Sequence, residues 1–220
     1  MKIIQPSFEI VDMADYQEIL KKLEKIGRVC YKSENNITDD SAERFLASII
    51  KRGHESVIEH ENVTVKLIVD RGVSHEIVRH RIASYSQEST RYCNYSESGS
   101  DDGISIISTS GFMFDKKFKS LDEYSKQKIH QVWLEAQHYA ESCYKEMIEL
   151  GATPQLARSV LTNSTKTEIV ITMNLRAWRN FFKLRTPHTA HPQMREIAII
   201  GLDKFKGALP VFFEDIEVAE

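Results

Sequence analysis

Between Leu121 and Leu150 apolar and aromatic side chains return every three to four residues, through Tyr124, Ile129, Val132, Trp133, Ala136, Tyr139, Ala140, Cys143 and Met147, and Gly151 closes the run. That period belongs to an α-helix, which at 1.5 Å per residue reaches roughly 45 Å. Any fold open to this chain has to carry one long helix. A different period governs residues 62–70, where Val63, Val65, Leu67 and Val69 alternate with polar neighbours and predict a half-buried strand. Residues 167–173 (TEIVITM) predict a second strand. Shorter helical patterns occupy 15–28, 39–52, about 72–81, a segment opening at Thr153-Pro154, 174–185 and about 192–206. Residues 84–103, rich in Ser, Tyr, Gly and Asp, show neither period and predict a loop. With no internal repeat and no linker, the order of elements predicts an α+β fold. It is a single mixed domain over residues 1–220, with a β-sheet flanked by helices, one of them long.

Composition narrows the class. Apolar residues make up 41% and charged residues 28%, with 9 Gly and 5 Pro, which excludes disordered and collagen-like chains. No apolar run approaches the eighteen or so residues of a membrane span, so no membrane is expected as a partner. The N-terminus turns acidic too early for a secretory leader. Cys30, Cys93 and Cys143 are odd in number, far apart and form no CxxC, so the expected home is a reducing cytoplasm. His54 with His60, and His188 with His191, lack supporting ligands at metal spacing, so no metal site is expected.

The 29 Lys and Arg against 32 Asp and Glu leave a net charge of −3. Within that balance the arginines cluster, with Arg79, Arg81 and Arg91 in one window and Arg158, Arg176, Arg179, Arg185 and Arg195 in another. A guanidinium forks onto phosphate and carbonyl oxygens, so clustered arginine in an acidic protein implies a local anion pocket rather than a nucleic-acid surface. The densest unit, residues 79–92 (RHRIASYSQESTRY), joins three guanidiniums and an imidazole to several hydroxyls. Residues 174–185 (NLRAWRNFFKLR) carry four cations and no acid, with Arg176 and Asn180 on one helix face. No GxGxxG follows a strand and no GxxxxGK[ST] or GxSxG occurs, so neither a Rossmann fold nor a P-loop is indicated.

Arg79-His80-Arg81 followed after seven residues by Ser89 resembles the signature of the flavin-dependent thymidylate synthases. GHESVIEH at 53–60, SYSQESTRY, the LAR at 156–158 and the Asn174, Arg176, Asn180, Arg185 series resemble further family segments in the same order. The resemblance implies a homotetramer with shared active sites that makes dTMP from dUMP, with 5,10-methylenetetrahydrofolate as carbon donor, NADPH as reductant and FAD between them. By matching positions, His54, Ser56, Arg79, His80, Arg81 and Gln87 would hold FAD, joined by Asn174, Arg176, Asn180 and His191, with His188 as the alternative to His191. Glu76, Arg79, Gln87, Glu88 and Ser89 would surround dUMP, with Thr90, Arg91, Arg158 and Arg185. Glu88, an acid beside the proposed phosphate contacts, is expected to point outward, and Glu76 stands where the family usually has a neutral Gln. Arg185 is the catalytic candidate, since a guanidinium beside the uracil would stabilise negative charge on the ring. Cys93 lies outside the signature and is not expected to act as a nucleophile, and Ser89 lacks a His–acid pair to activate it. The same residues would also serve another flavin or nucleotide enzyme, or a nucleotide- or RNA-binding module.

Overall fold

The computed structural model describes residues 1–96 and 103–218. Six strands and nine helices follow one another as β1 (Lys2–Ile4), β2 (Ser7–Asp12), α1 (Tyr16–Tyr31), α2 (Ser41–Lys51), β3 (Asn62–Asp70), α3 (Arg71–Ile77), β4 (Ser84–Gln87), β5 (Ser105–Ile107), α4 (Lys116–Lys119), α5 (Glu123–Glu149), α6 (Pro154–Ala157), β6 (Lys166–Asn174), α7 (Leu175–Arg185), α8 (Pro192–Ala208) and α9 (Pro210–Phe213) among the described residues. This is the mixed α+β arrangement expected, with a sheet flanked by helices and one long helix, α5.

The main sheet has the order β2-β3-β6-β4 and is antiparallel throughout. β3 and β6 pair over their whole length, from Asn62 opposite Asn174 to Asp70 opposite Lys166. Alternation then decides the faces. Val63, Val65, Leu67 and Val69 lie beside Ile169, Ile171 and Met173 on the buried side. Against them α7 and α8 bring Trp178, Phe181, Phe182, Leu202 and Phe205. The Trp178 indole donates to the carbonyl of Val63 at 3.0 Å, satisfying the one polar atom of that ring within the core. α1 and α2 add Ile19, Leu23, Leu46 and Ile49 to the same cluster. α8 crosses β2 with no room for a side chain at Gly201, where a Cβ would stand 2.4 Å from the Phe8 ring.

A separate parallel pair, β1 with β5, carries Ile104 and Ile106 into a small cluster with Tyr144 of α5 and Ala157 of α6. α5 buries only Gln137, Glu141 and Tyr144. Its other apolar stripe stays open, with Tyr124 70%, Val132 64% and Tyr139 75% exposed.

Two sequence expectations are corrected. Residues 84–87 form strand β4 instead of loop, because the Tyr85 and Gln87 backbone pairs with Ile171 and Ile169 of β6. Part of the expected loop, 97–102, lies outside the described residues. The helix expected over 72–81 stops at Ile77, where the Tyr85 hydroxyl sits 3.0 Å from the Ile77 carbonyl and 2.9 Å from that of His80. That hydroxyl occupies carbonyls a further turn would have used, and the chain turns into β4.

Candidate active site

α3 and α7 are launched from opposite ends of the β3–β6 ladder, each by the last residue of its strand. Asp70 accepts the Val73 N–H at 2.7 Å and Asn174 accepts the Ala177 N–H at 2.8 Å, both as N-caps. Each helix folds back along the sheet, and the two C-terminal ends meet. There Arg185 donates from Nη1 to Glu76 Oε2 at 2.8 Å and from Nε to His80 Nε2 at 2.9 Å. A guanidinium only donates, so His80 Nε2 presents a lone pair and the ring is neutral with its proton on Nδ1. Burial, and then the adjacent Arg185, lower the His80 pKa to about 4. The ring is wedged edge-on against Phe181 at 4.9 Å.

The start of α7 opens onto a polar cavity of about 380 Å³, lined by Asn174, Arg176, Asn180 and Lys183, by Arg81 from the turn before β4, and by Glu55 and Glu59. Glu59 holds Arg176, while Glu55 lies 3.0 Å from Arg179 and 3.3 Å from Lys183. So Arg81, Asn174, Arg176 and Asn180, named separately from the sequence, do converge. Arg79 is exposed and makes no ion pair or side-chain hydrogen bond among the described residues. Ser56 is exposed, and His54 lies outside the cavity lining, its Nδ1 2.6 Å from the Tyr31 hydroxyl.

A third group follows β4. Gln87 donates to Ser74 Oγ at 2.9 Å and to Thr167 Oγ1 at 3.2 Å. Arg158 Nη1 reaches Thr90 Oγ1 at 3.4 Å, Arg91 Nε donates to Gln155 at 2.7 Å, and Ser89 Oγ accepts the Arg91 N–H at 3.3 Å. Glu88 corrects the outward expectation. Its side chain turns inward, accepts from Tyr95 at 2.8 Å and pairs with Lys166 at 2.9 Å. Burial, together with Glu88, pushes the Tyr95 pKa up.

His191 stands apart from the polar cavity, at the N-cap position of α8. It lines a second, apolar cavity of about 520 Å³ with Phe112, Phe118, Leu121 and Ile129. His188 is exposed in the turn before it. Four participants escaped the sequence reading: Glu55, Glu59 and Lys183 on the cavity wall and Gln155 as the partner of Arg91. The acids of the GHESVIEH segment were the usable signal, since Glu55 and Glu59 both reach Arg176 of the basic α7.

A family described as "Thymidylate synthase complementing protein" matches residues 12–211. The chain belongs to the Thy1 family. Among its curated relatives, a "Flavin-dependent thymidylate synthase" of Geobacter sulfurreducens is 32% identical over 198 residues, covering 86% of this chain and 78% of that one. One of Corynebacterium aurimucosum is 30% identical over 218 residues, covering 96% and 84%. Among solved structures, a UMP/dUMP methylase, PolB from Streptomyces cacaoi, bound with 5-Br dUMP, superposes with a TM-score of 0.79 at 22% identity, covering 97% of this chain and 96% of that one. At that identity the likeness speaks for the fold alone, over nearly the whole chain.

Proposed function

We propose that this chain makes dTMP from dUMP, taking the carbon from 5,10-methylenetetrahydrofolate and the reducing equivalents from NADPH through bound FAD. The observation that carries the reading is the match to relatives named flavin-dependent thymidylate synthase at about a third identity over most of the chain.

The polar cavity fits a flavin nucleotide by its donor set. Asn174, Asn180 and Lys183 offer N–H groups, and Arg81 and Arg176 offer guanidiniums suited to a diphosphate. His54, Ser56, Arg79, His80, Gln87 and His191, which do not line this cavity, join the flavin from other copies of the chain. When bound, the flavin supplies the redox chemistry that links the reductant to the transferred carbon. Ser89, Thr90, Arg91 and Arg158 hold the dUMP phosphate, with Arg79, Gln87 and Glu88 around the nucleotide. Arg185 lies against the pyrimidine. Its Nη2 has no acceptor among the described residues, so two N–H groups remain for a ring oxygen. A guanidinium fixed there stabilises the charge that builds on the ring as N3 loses its proton and C5 becomes nucleophilic, an electrostatic role that needs no covalent enzyme nucleophile.

Arg176 and His191 line different cavities on one chain, and α5 leaves Tyr124, Val132 and Tyr139 uncovered. Both features support an assembly in which each site draws on several copies of the chain, and we propose that it is a homotetramer working in the cytoplasm. Among the described residues no helix is long and apolar enough to cross a membrane. The test is an absorption spectrum of the protein incubated with FAD and desalted, followed anaerobically by NADPH and then by dUMP with methylenetetrahydrofolate. A retained flavin band that bleaches and then returns together with dTMP is the expected result. A folded protein that retains no flavin refutes the reading.

A further inference from the structure

Glu76, His80 and Arg185 form a set whose two partners of the arginine differ in what they can do. His80 is buried at 7% exposure, neutral, and packed against Phe181, so it is a fixed anchor for Nε. Glu76 holds Nη1 with a side chain 35% exposed, and the Arg185 side chain is itself 22% exposed. The pair is therefore reachable from outside, and Glu76 is free to leave. It is also the only anion paired with Arg185 among the described residues. Of the other charged groups nearby, Arg79 is exposed without a side-chain partner among the described residues, Arg81 donates to the Val78 carbonyl, and Asp70 is taken up by the Val73 N–H and Gln193.

We infer that Glu76 is a positioning residue that holds Arg185 in the ligand-free protein as a stand-in anion and yields it to the pyrimidine. The inference rests on the function proposed above. A pyrimidine that has lost its N3 proton spreads charge over adjacent ring nitrogen and carbonyl oxygen atoms, presenting two neighbouring acceptors much as a carboxylate does. Glu76 occupies only Nη1, so a ring that takes the Nη1 and Nη2 pair of the guanidinium displaces it. Arg185 is thus kept in a ligand-ready rotamer at all times, which spares the reorganisation a free side chain would need. The same carboxylate competes with the ring for the arginine, and the released Glu76 has solvent to move into.

The experiment compares the FAD-loaded wild-type protein with Glu76→Gln and Glu76→Asp, titrated calorimetrically at one pH with 5-bromo-dUMP and with 2-deoxyribose 5-phosphate. The second ligand carries the phosphate without the ring. Removing a competing, partly exposed ion pair predicts that Glu76→Gln binds 5-bromo-dUMP about three- to tenfold more tightly. Its affinity for deoxyribose phosphate stays at the wild-type value, and the bound bromouracil shows a larger ionised fraction in its ultraviolet spectrum. Glu76→Asp, which keeps the charge, restores the wild-type ratio of the two affinities. Equal tightening of both ligands would mean a long-range effect on the phosphate and overturns the inference. Weaker ring binding by Glu76→Gln would make Glu76 a direct ligand of the ring and overturns it too. A wild-type protein that binds neither ligand overturns the functional reading on which the inference stands.

Discussion

His80 converts the geometry of the site into a measurable dependence of stability on pH. Its folded pKa is about 4 against 6.5 for a free histidine, because burial removes water from the ring and Arg185 already faces Nε2. A depressed histidine is protonated more readily in the unfolded chain than in the folded one, so the folded state loses ground as pH falls through 6.5 and continues to lose it down to the folded pKa. Each pH unit inside that window is worth 1.36 kcal/mol. Between pH 7 and pH 5 the loss from this one group comes to about 2 kcal/mol. The assay is urea unfolding of the ligand-free protein at both pH values, for wild type and for His80→Gln, whose amide oxygen still accepts from Arg185 without titrating. Carboxylates with altered pKa contribute equally to both proteins, so the difference between the two pH dependences isolates His80. Wild type is expected to lose about 2 kcal/mol more than the variant. Equal losses would show that the ring is not held neutral, and would refute the assignment of Nε2 as acceptor for Arg185.

Arg185→Ala should still retain FAD after desalting but lose most dTMP formation; near-normal turnover removes Arg185 from its electrostatic role. Cys93→Ala should keep wild-type turnover, since Cys93 is half-buried beside the Ser89 carbonyl and no step requires its thiol; a folded, FAD-loaded variant without activity would make it the nucleophile. Gly201→Ala should destabilise the fold by about 1–3 kcal/mol through overpacking against Phe8, read as a lower urea midpoint, and an unchanged midpoint would mean that α8 shifts at no cost.

The elements with a strong period were legible from the chain. Strand β3 begins and ends where alternation placed it, and the long helix differs by only a residue or two at each end. β1, β2, β4 and β5 were not. They are short, and strands of three to six residues give alternation too little length to declare itself. β4 was further hidden by its Ser, Tyr and Gln content, which reads as loop until a partner strand supplies the hydrogen bonds. The orientation of Glu88 was also beyond reach, because it depends on Lys166, which lies 78 residues away and faces Glu88 only through the pairing of β4 with β6.

The same ladder explains why the residue types at the site were readable while their pairings were not. Arg185 and Glu76 are separated by 109 residues, and nothing local in either segment names the other as its partner. What joins them is the register of β3 on β6. It sets Asn62 opposite Asn174 and so fixes where α3 leaves one end of the ladder and α7 leaves the other. A slip of one residue would turn Val63, Val65, Leu67 and Val69 away from Trp178 and Phe182, a loss that hydrophobic burial forbids. The distance between a carboxylate and a guanidinium at the surface is therefore set by apolar alternation in the core. The two capping residues, Asp70 and Asn174, transmit that register to the helices whose far ends form the site.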